Sequence, residues 1–154
     1  MKEKVQATDS REFEIKLDTQ LCFAIYGAAH AFTRTYKPLL EPLGLTYPQY
    51  LVMIALWEED DLPVKAIGDR LGLDSGTLSP LLKRLEQSGL VLRKRDRDDE
   101  RLVRISLTEK GSDLRQKAVG VTKAIGQAIG CGMEEAAALR DALITLRKRM
   151  NERD

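Results

Sequence analysis

The chain has 154 residues, 43% of them hydrophobic and 32% charged, which is typical of one folded domain with its own apolar core. No apolar run approaches the roughly 18 residues of a membrane span, and neither a signal peptide nor a disulfide scaffold is recognisable, so we expect a cytoplasmic protein with no membrane partner. One histidine and two cysteines are too few for an ordinary zinc site, and we expect neither a metal nor a cofactor.

Positive charge is concentrated in one segment, although the net charge of the chain is only +1. Residues 1–62 carry 6 basic and 10 acidic side chains, whereas residues 83–104 carry 8 basic and 5 acidic side chains. A local basic stretch on a nearly neutral protein indicates a surface that binds a polyanion such as DNA.

Helical periodicity dominates the first part of the chain. Apolar residues at three- and four-residue steps predict a first helix over 13–40, with its last turn loosened at Pro38. Thr46 followed by Gln49 predicts a capping box at the start of a second helix, which ends near Glu58.

Two shorter helices are predicted after a charged, solvated loop at 58–61. The first is opened by Pro63 and ended by Gly72, and the second is capped by Asp74 and ended by Gly89. The second short helix has a polar outer face, formed by Ser75, Thr77, Ser79, Lys83 and Arg84.

A β-hairpin is predicted next. Its strands cover 90–93 and 103–107, where apolar and polar residues alternate, and a highly charged turn joins them. Thr108 should cap a fifth helix that runs to about Ile125, and the glycine-rich segment 126–132 should break it. A sixth helix is predicted over 133–151.

The predicted fold is mainly α with one small β-hairpin, and its element order fits a winged helix-turn-helix. In such a fold the second short helix enters the major groove of DNA, and the hairpin tip reaches the backbone or the minor groove. We expect a single chain in which 46–107 form the DNA-binding lobe and 13–45 and 108–152 form dimerisation helices. The outer helices are too few to enclose their own apolar faces, which predicts an obligate homodimer.

The candidate DNA contacts come from the second short helix and the hairpin. Small hydroxyl side chains at the start of the helix can bond base edges or phosphates, and basic side chains can meet phosphates. The Asp99 carboxylate would be repelled by phosphate, so we expect it to hold Arg101 in position and not to contact DNA itself. A plain solvated loop is the alternative for the charged turn. The candidate residues are Ser75, Thr77, Ser79, Lys83, Arg84, Arg93, Arg95, Arg97, Asp99 and Arg101.

Three segments carry a family resemblance: 73–90 (LDSGTLSPLLKRLEQSGL), 99–101 (DER) and 106–111 (SLTEKG). They resemble the MarR family of transcription regulators, and the resemblance covers roughly 17–150. It implies a triangular homodimer with two winged-helix lobes, for which we expect a pseudo-palindromic operator in double-stranded DNA. It also implies that Arg101 of the DER sequence enters the minor groove and that Asp99 holds Arg101 in position. Many members have proline where Arg97 stands.

Cys22 lies in the predicted first helix. The most common fate of such a cysteine is burial as a small hydrophobe, whereas a sensor needs an accessible, activated thiol with hydrogen-bond donors nearby. No basic residue lies within one turn, so tyrosine hydroxyls are the available donors. Tyr36 is 14 residues further on, about 21 Å along a continuous helix, so a contact with Cys22 would have to come from the other subunit. His30, about 12 Å away, is interpreted as an ordinary helix residue.

A closer resemblance lies in 17–26 (LDTQLCFAIY), Tyr36 and 45–53 (LTYPQYLVM). These are similar to the organic-hydroperoxide-sensing repressors of the MarR family, of the two-cysteine type. The resemblance implies that Cys22 is the peroxide-reactive thiol and that Tyr36 and Tyr47 of the partner subunit donate hydrogen bonds to it. The other two tyrosines of the chain are interpreted as packing residues.

Cys131 lies between Gly130 and Gly132, which give it freedom to move. It is either an incidental loop cysteine or a resolving thiol that condenses with the sulfenic acid of Cys22. In the two-cysteine members the second thiol comes from the other subunit, so the resemblance implies an intersubunit disulfide.

Three functional hypotheses follow. The first is a repressor released from its operator when an organic hydroperoxide oxidises Cys22, and the second is a MarR-type repressor released by a non-covalently bound small aromatic ligand. The third is an enzyme such as a thiol peroxidase. The chain lacks a Cys-x-x-Cys motif, a catalytic His/Asp pairing with Cys22 and a glycine-rich phosphate loop. We therefore expect a transcription regulator and not an enzyme.

Overall fold

Two compact units make up the chain, Met1–Arg34 and Thr35–Asp154. The computed structural model describes residues 15–34 of the first and residues 35–153 of the second. Within these residues no helix is both long enough and apolar enough to cross a membrane.

The first unit contains one turn of 3-10 helix, Leu17–Thr19, and the first part of helix α1, Leu21–Leu40. The sequence predicts a continuous helix from residue 13, which lies outside the described residues. For the described residues before α1 this prediction is wrong, because Gln20 has an extended backbone (φ −81°, ψ 119°). As a result, Cys22 lies in the first turn of a helix and not in its middle.

The second unit begins with the end of α1 and continues into three helices. Helix α2, Tyr47–Glu58, starts at the predicted capping box. Thr46 N donates to Gln49 Oε1 at 2.9 Å, and Gln49 N donates to Thr46 Oγ1 at 3.4 Å, so two N–H groups that the helix leaves unpaired are satisfied. Helices α3, Val64–Leu71, and α4, Ser75–Gln87, follow. Each is followed by a glycine with a left-handed backbone, as predicted.

A three-stranded antiparallel sheet follows the helices, in the order β1-β3-β2. Its strands are β1, Leu62–Pro63, β2, Val91–Arg95, and β3, Val103–Leu107. The predicted hairpin is confirmed by the pairing of β2 with β3, but the sequence missed β1. Two residues are too few to show the alternation that reveals a strand, and β1 is recognisable only from its pairing with Arg104 and Ile105 of β3. We call β2, β3 and the turn between them the wing.

Helix α5, Glu109–Ile129, is longer than predicted. Thr108 caps it as predicted, but the predicted end near Ile125 comes too early, and the helix ends later within the glycine-rich segment 126–132. One glycine costs a helix only about 1 kcal/mol, and Ile125 is buried in the core, so the helix continues to Gly130. The left-handed backbone of Gly130 (φ 70°) ends it.

The core of the second unit lies among helices α2 to α5 and the sheet. Helix α6, Met133–Asn151, has the predicted bounds but contributes no buried residue. Met133 is 91% exposed and Leu139 is 61% exposed, so these apolar side chains have little cover within the described residues. The largest fully buried side chains are Leu40, Val52, Met53, Leu56, Ile67, Leu78, Leu82, Leu85, Val91 and Ile105.

The end of α4 and the start of α5 meet in a set of short contacts, which we call the α4–α5 junction. Thr108 N donates to Leu90 O at 3.1 Å, and Thr108 Oγ1 donates to Gly89 O at 2.6 Å. Gly111 lies so close to the Leu90 carbonyl that a Cβ atom would collide with it. Trp57 of α2 donates its Nε1–H to Gly111 O at 2.9 Å, so three helices are joined at this point.

Gly111→Ala should lower the free energy of unfolding by roughly 1–3 kcal/mol, because the added methyl group must displace the Leu90 carbonyl. The control is Gly120→Ala in the same helix, where a Cβ atom meets nothing within 4 Å. It should raise the free energy of unfolding by roughly 0.5–1 kcal/mol through helix propensity. Urea denaturation of both variants checks the pair, and equal effects would contradict the close approach.

Candidate DNA interface and thiol site

Helix α4 presents a polar face that begins at a well-formed N-cap. Asp74 Oδ1 accepts a hydrogen bond from Thr77 N at 2.8 Å, and this bond is the main reason why the pKa of the Asp74 carboxyl lies below its ordinary value. Ser75, Thr77 and Ser79 are exposed, whereas Leu78 is buried. Three hydroxyl groups therefore face solvent near the positive end of a helix, which favours contacts with anions.

Five basic side chains extend this face onto the wing. All five are exposed, and within residues 15–153 none of them forms an ion pair. Their full charge remains for contacts with phosphate. They are Lys83, Arg84, Arg93, Arg95 and Arg97.

The turn of the wing is organised by Asp96. Its backbone N–H donates to Leu102 O at 2.8 Å. Its Oδ1 accepts from Asp98 N at 2.8 Å and from Asp99 N at 3.2 Å. These two backbone N–H groups are the main cause of a lowered pKa for the Asp96 carboxyl, so one charged carboxylate orders the turn.

Asp99 and Arg101 are neighbours at the wing tip. Arg101 N donates to Asp99 Oδ1 at 3.1 Å, and Arg101 Nε lies 3.7 Å from the same oxygen. The Arg101 side chain is 94% exposed, so the ion pair alone contributes little to stability. The carboxylate holds the backbone of Arg101, while the guanidinium projects into solvent.

Arg104 is a residue of this site that the sequence analysis missed. Its Nε and Nη2 donate to Asp61 Oδ1 at 3.1 Å and to Asp61 O at 2.5 Å. Its Nη1 donates to Asp96 Oδ2 at 3.2 Å. No spacing rule connects Arg104 with Asp61, which lies 43 residues earlier. Only the unpredicted pairing of β1 with β3 brings the two together.

A cluster of tyrosines lies where the end of α1 meets α2. The rings of Tyr36 and Tyr47 have centroids 4.8 Å apart, and those of Tyr36 and Tyr50 are 5.7 Å apart. Tyr50 is buried and lies 3.4 Å from Thr122 Oγ1 through its hydroxyl, in agreement with a packing role. Burial raises the pKa of Tyr36 to about 12 and also raises the pKa of Tyr47. Both hydroxyls therefore stay protonated at neutral pH and can donate hydrogen bonds.

The two cysteines are free thiols in different settings. Cys22 is exposed, in contrast to the buried position that is most common for a single cysteine. Its place in the first turn of α1 puts it near backbone N–H groups that favour negative charge. Cys131 is half-buried between the end of α5 and the start of α6. Tyr26 is exposed and contacts His30, with ring centroids 4.2 Å apart, so it does not pack in a core of the first unit.

A cavity of about 220 Å³ opens between α2 and α5. Tyr50 and Trp57 contribute aromatic walls and Val119 contributes an aliphatic one, and the lining also includes Glu58 and the exposed Arg115. The guanidinium of Arg115 favours a bound carboxylate and the carboxylate of Glu58 disfavours one, so the aromatic walls are the main feature that suits a small aromatic ligand.

Comparison with known proteins identifies the kind of protein that carries these features. A family model described as transcriptional regulator SarA/Rot matches residues 34–118, more than half of the chain. The chain is also 51% identical over 152 residues to the HTH-type transcriptional regulator TtmR of Methylorubrum extorquens (strain PA1), covering 99% of this chain and 78% of that protein. The chain belongs to the MarR/SarA-type winged-helix family of transcriptional regulators.

The regulator has a second close relative with a more specific name. It is 47% identical over 140 residues to the organic hydroperoxide resistance transcriptional regulator of Bacillus subtilis (strain 168). The match covers 91% of this chain and 95% of the Bacillus protein. The predicted class, a transcription regulator and not an enzyme, is confirmed by these relatives.

Solved structures of AbfR from Staphylococcus epidermidis share the fold. The reduced protein bound to DNA is 36% identical with a TM-score of 0.76, and the match covers 91% of this chain and 98% of AbfR. The overoxidised protein bound to DNA has a TM-score of 0.73, over 90% and 98% of the two chains. The disulfide form has a TM-score of 0.64, over 91% and 98%. The predicted winged-helix fold is confirmed, and the regulator is a DNA-binding protein.

Asp74→Ala should weaken DNA binding by roughly twofold to tenfold, because α4 loses its N-cap. Asp74→Ser is the control, since it keeps a capping oxygen but removes the same negative charge. The capping effect also depends on pH, because the charged carboxylate of Asp74 is the form that caps the helix. Its full contribution to the stability of the fold is present above the ordinary aspartate pKa and is lost as the pH falls through the lowered pKa of Asp74. Fluorescence anisotropy with labelled DNA checks the affinities. Equal weakening by alanine and serine would contradict the role of the cap.

Proposed function

We propose that the regulator is a repressor that binds a pseudo-palindromic operator as a homodimer and leaves it when an organic hydroperoxide oxidises Cys22. The observation that carries the proposal is a free, exposed Cys22 in the first turn of α1, in a chain 47% identical to a hydroperoxide resistance regulator. We place the regulator in the cytoplasm, because thiols are kept reduced there.

The homodimer is supported by apolar side chains without cover in either unit. Leu21 at the start of α1 and Leu139 in α6 are each more than half exposed. A second copy of the chain would remove such surface from water, at about 25 cal/mol for each Å² of apolar area. We assign dimerisation to residues 13–45 and 108–152, and DNA binding to 46–107.

DNA binding uses the exposed face of α4 and the wing. In a two-fold dimer the two α4 helices enter successive major grooves, which are about 34–36 Å apart on one side of the duplex. The guanidinium of Arg101 enters the minor groove, and Asp99 holds it in position. The remaining contacts are assigned to Ser75, Thr77, Ser79, Lys83, Arg84, Arg93, Arg95 and Arg97.

The sensing reaction begins at the sulfur of Cys22. The thiolate is the nucleophilic form, and it attacks one oxygen of the hydroperoxide. A sulfur–oxygen bond forms while the oxygen–oxygen bond breaks, so the sulfur is oxidised by two electrons to a sulfenic acid. The leaving alkoxide takes up the proton that the thiol lost and becomes an alcohol, so the peroxide is reduced by the same two electrons.

Tyrosine hydroxyls stabilise the anionic sulfur. Because burial raises the pKa of Tyr36 to about 12, this hydroxyl is protonated at neutral pH and can donate a hydrogen bond. Tyr36 is 14 residues from Cys22 along α1, too far to reach it within one helix. We therefore assign the donors of Cys22 to Tyr36 and Tyr47 of the partner subunit.

Cys131 completes the reaction as the resolving thiol. Its sulfur attacks the sulfenic sulfur of Cys22 in the other subunit, a disulfide forms and water leaves. A redox role for the cysteines is supported by AbfR, which has been solved in reduced, overoxidised and disulfide forms. In the regulator, the disulfide changes the spacing of the two lobes. Misplaced half-sites forfeit part of the roughly 4–10 kcal/mol that separates specific from non-specific binding.

One equivalent of cumene hydroperoxide per chain should convert the reduced protein into a covalent dimer. The dimer should appear by mass under non-reducing, denaturing conditions and disappear with dithiothreitol. Neither Cys22→Ser nor Cys131→Ser should form it. In operator-binding assays Cys22→Ser should bind DNA normally and stay bound after peroxide, and its release by peroxide would contradict the mechanism.

Tyr36→Phe should slow the oxidation of Cys22 roughly tenfold, because a hydrogen bond to a charged group is worth about 1.5–3 kcal/mol. Phenylalanine keeps the ring of the tyrosine cluster and removes only the donor. Tyr26→Phe is the matched control, since Tyr26 contacts His30 in the first unit and has no assigned role. Stopped-flow measurement of thiol loss checks the rates, and equal rates for both variants would contradict the donor role of Tyr36.

A second candidate function is release by a small aromatic ligand, favoured by the cavity between α2 and α5. A carboxylate would pair with Arg115 while the ring of the ligand packs against Trp57. Titration of the operator complex with salicylate separates the two functions. Release with an unchanged thiol count would favour the ligand, and release only by peroxide would favour the thiol mechanism.

A further inference from the structure

All three guanidinium nitrogens of Arg104 are engaged within the protein. Nε and Nη2 donate to Asp61, and Nη1 donates to Asp96. The side chain is only 32% exposed, whereas Arg93 and Arg95 on the neighbouring strand are exposed and form no ion pair within the described residues. Arg104 lies in the basic stretch, but its side chain is hydrogen-bonded to carboxylate and carbonyl oxygens of the protein, so it connects two segments of the lobe and is not placed to contact phosphate.

Asp96 continues this connection to the wing tip. One carboxylate oxygen accepts from Arg104, and the other accepts from the backbone N–H groups of Asp98 and Asp99. Asp99 in turn accepts from Arg101 N at 3.1 Å. A continuous series of hydrogen bonds therefore leads from Arg104 to the residue that we assign to the minor groove.

The other end of the series is fixed in the loop between α2 and β1. Asp61 has a left-handed backbone, with φ of 57°, which is uncommon for a residue other than glycine. Asp60 Oδ1 accepts from Asp61 N at 2.7 Å and from Leu107 N of β3 at 2.8 Å. The loop is thus tied to β3 at two points, once through Arg104 and once through Leu107.

We propose that Arg104 is a positioning residue for DNA binding: it ties the wing to the α2–β1 loop and so sets where Arg101 enters the minor groove. This inference rests on the role proposed above for Arg101. Carboxylates near a DNA-binding surface repel phosphate. Asp61 and Asp96 offset this repulsion because they orient, through Arg104, the arginine that reads the groove.

Replacing Asp61 tests the proposal, because the two explanations predict opposite changes in DNA affinity. Asp61→Gly deletes the carboxylate and suits the left-handed backbone. Loss of a negative charge alone predicts tighter DNA binding, whereas loss of wing positioning predicts roughly tenfold weaker binding. Glu58→Gln is the matched control: it removes the same charge near the end of α2, from a side chain that lies 3.9 Å from Arg70. Its affinity should stay within about twofold of the wild type.

The measurement uses the reduced, full-length regulator and an operator duplex that the wild type selects from random-sequence DNA. Anisotropy titrations at one salt concentration give the affinities, and thermal melting shows that each variant is folded. If Asp61→Gly does not fold, Arg104→Lys replaces it, because lysine keeps the charge but lacks the planar fork that holds two carboxylates. It should weaken binding in the same direction.

A double-mutant cycle tests whether Arg104 acts through Arg101. Arg104→Gln should weaken binding roughly tenfold in the wild type but by less than about twofold in the Arg101→Ala background. The preference for A·T over G·C pairs at the outer operator positions should shrink in Arg101→Ala and in Asp61→Gly alike. A merely structural role of Arg104 would not change that preference.

The possible outcomes are distinct. Unchanged or tighter binding by folded Asp61→Gly, or fully additive losses in the cycle, would overturn the positioning role of Arg104 alone. Unchanged affinity and base preference in Arg101→Ala would overturn the minor-groove role of Arg101, and the inference with it.

Discussion

The approach of Gly111 to the Leu90 carbonyl is the contact on which the rest of the second unit depends. It seats the first turn of α5 directly on the end of α4, and the hydrogen bond from Trp57 holds α2 to the same turn. Such packing leaves no space for sliding, so α4 and the base of the wing must move together with α5. Because Cys131 lies just beyond the other end of α5, one continuous helix connects the proposed chemistry with the DNA-binding face.

Basic and acidic side chains on the DNA-binding lobe differ in their surroundings. The basic side chains of α4 and β2 are unpaired within the described residues, and they supply attraction that depends on salt and not on sequence. Three acidic side chains of the α2–β1 loop and the wing turn, Asp60, Asp61 and Asp96, are instead bound to backbone N–H groups or to Arg104. A net charge of +1 conceals this arrangement, because these acidic groups hold the geometry of the lobe while the basic groups are left for the proposed contacts with DNA.

Local rules were enough to predict most elements and the exposed polar face of α4. Caps such as Thr46 and Asp74, and glycines that end helices, are signals contained in a few neighbouring residues. The hydroxyl and basic side chains of α4 follow from the same helical periodicity. Features set by distant residues were missed: β1 exists only through its pairing with β3, and Arg104 meets Asp61 across that pairing. The length of α5 was underestimated because buried Ile125 outweighs the propensity of a single glycine.

The ends of two helices at Cys131 have a consequence for timing. Gly130 ends α5 with a left-handed backbone, and α6 starts at Gly132 without a side-chain cap. An uncapped first turn opens more easily than a capped one, by about 1 kcal/mol, and local opening of this kind takes microseconds to seconds. In the proposed mechanism Cys131 must reach another sulfur, so easier opening of the first turn of α6 shortens the lifetime of the sulfenic acid. Two glycines would then limit the time during which a second peroxide could oxidise the sulfenic acid beyond the reversible state.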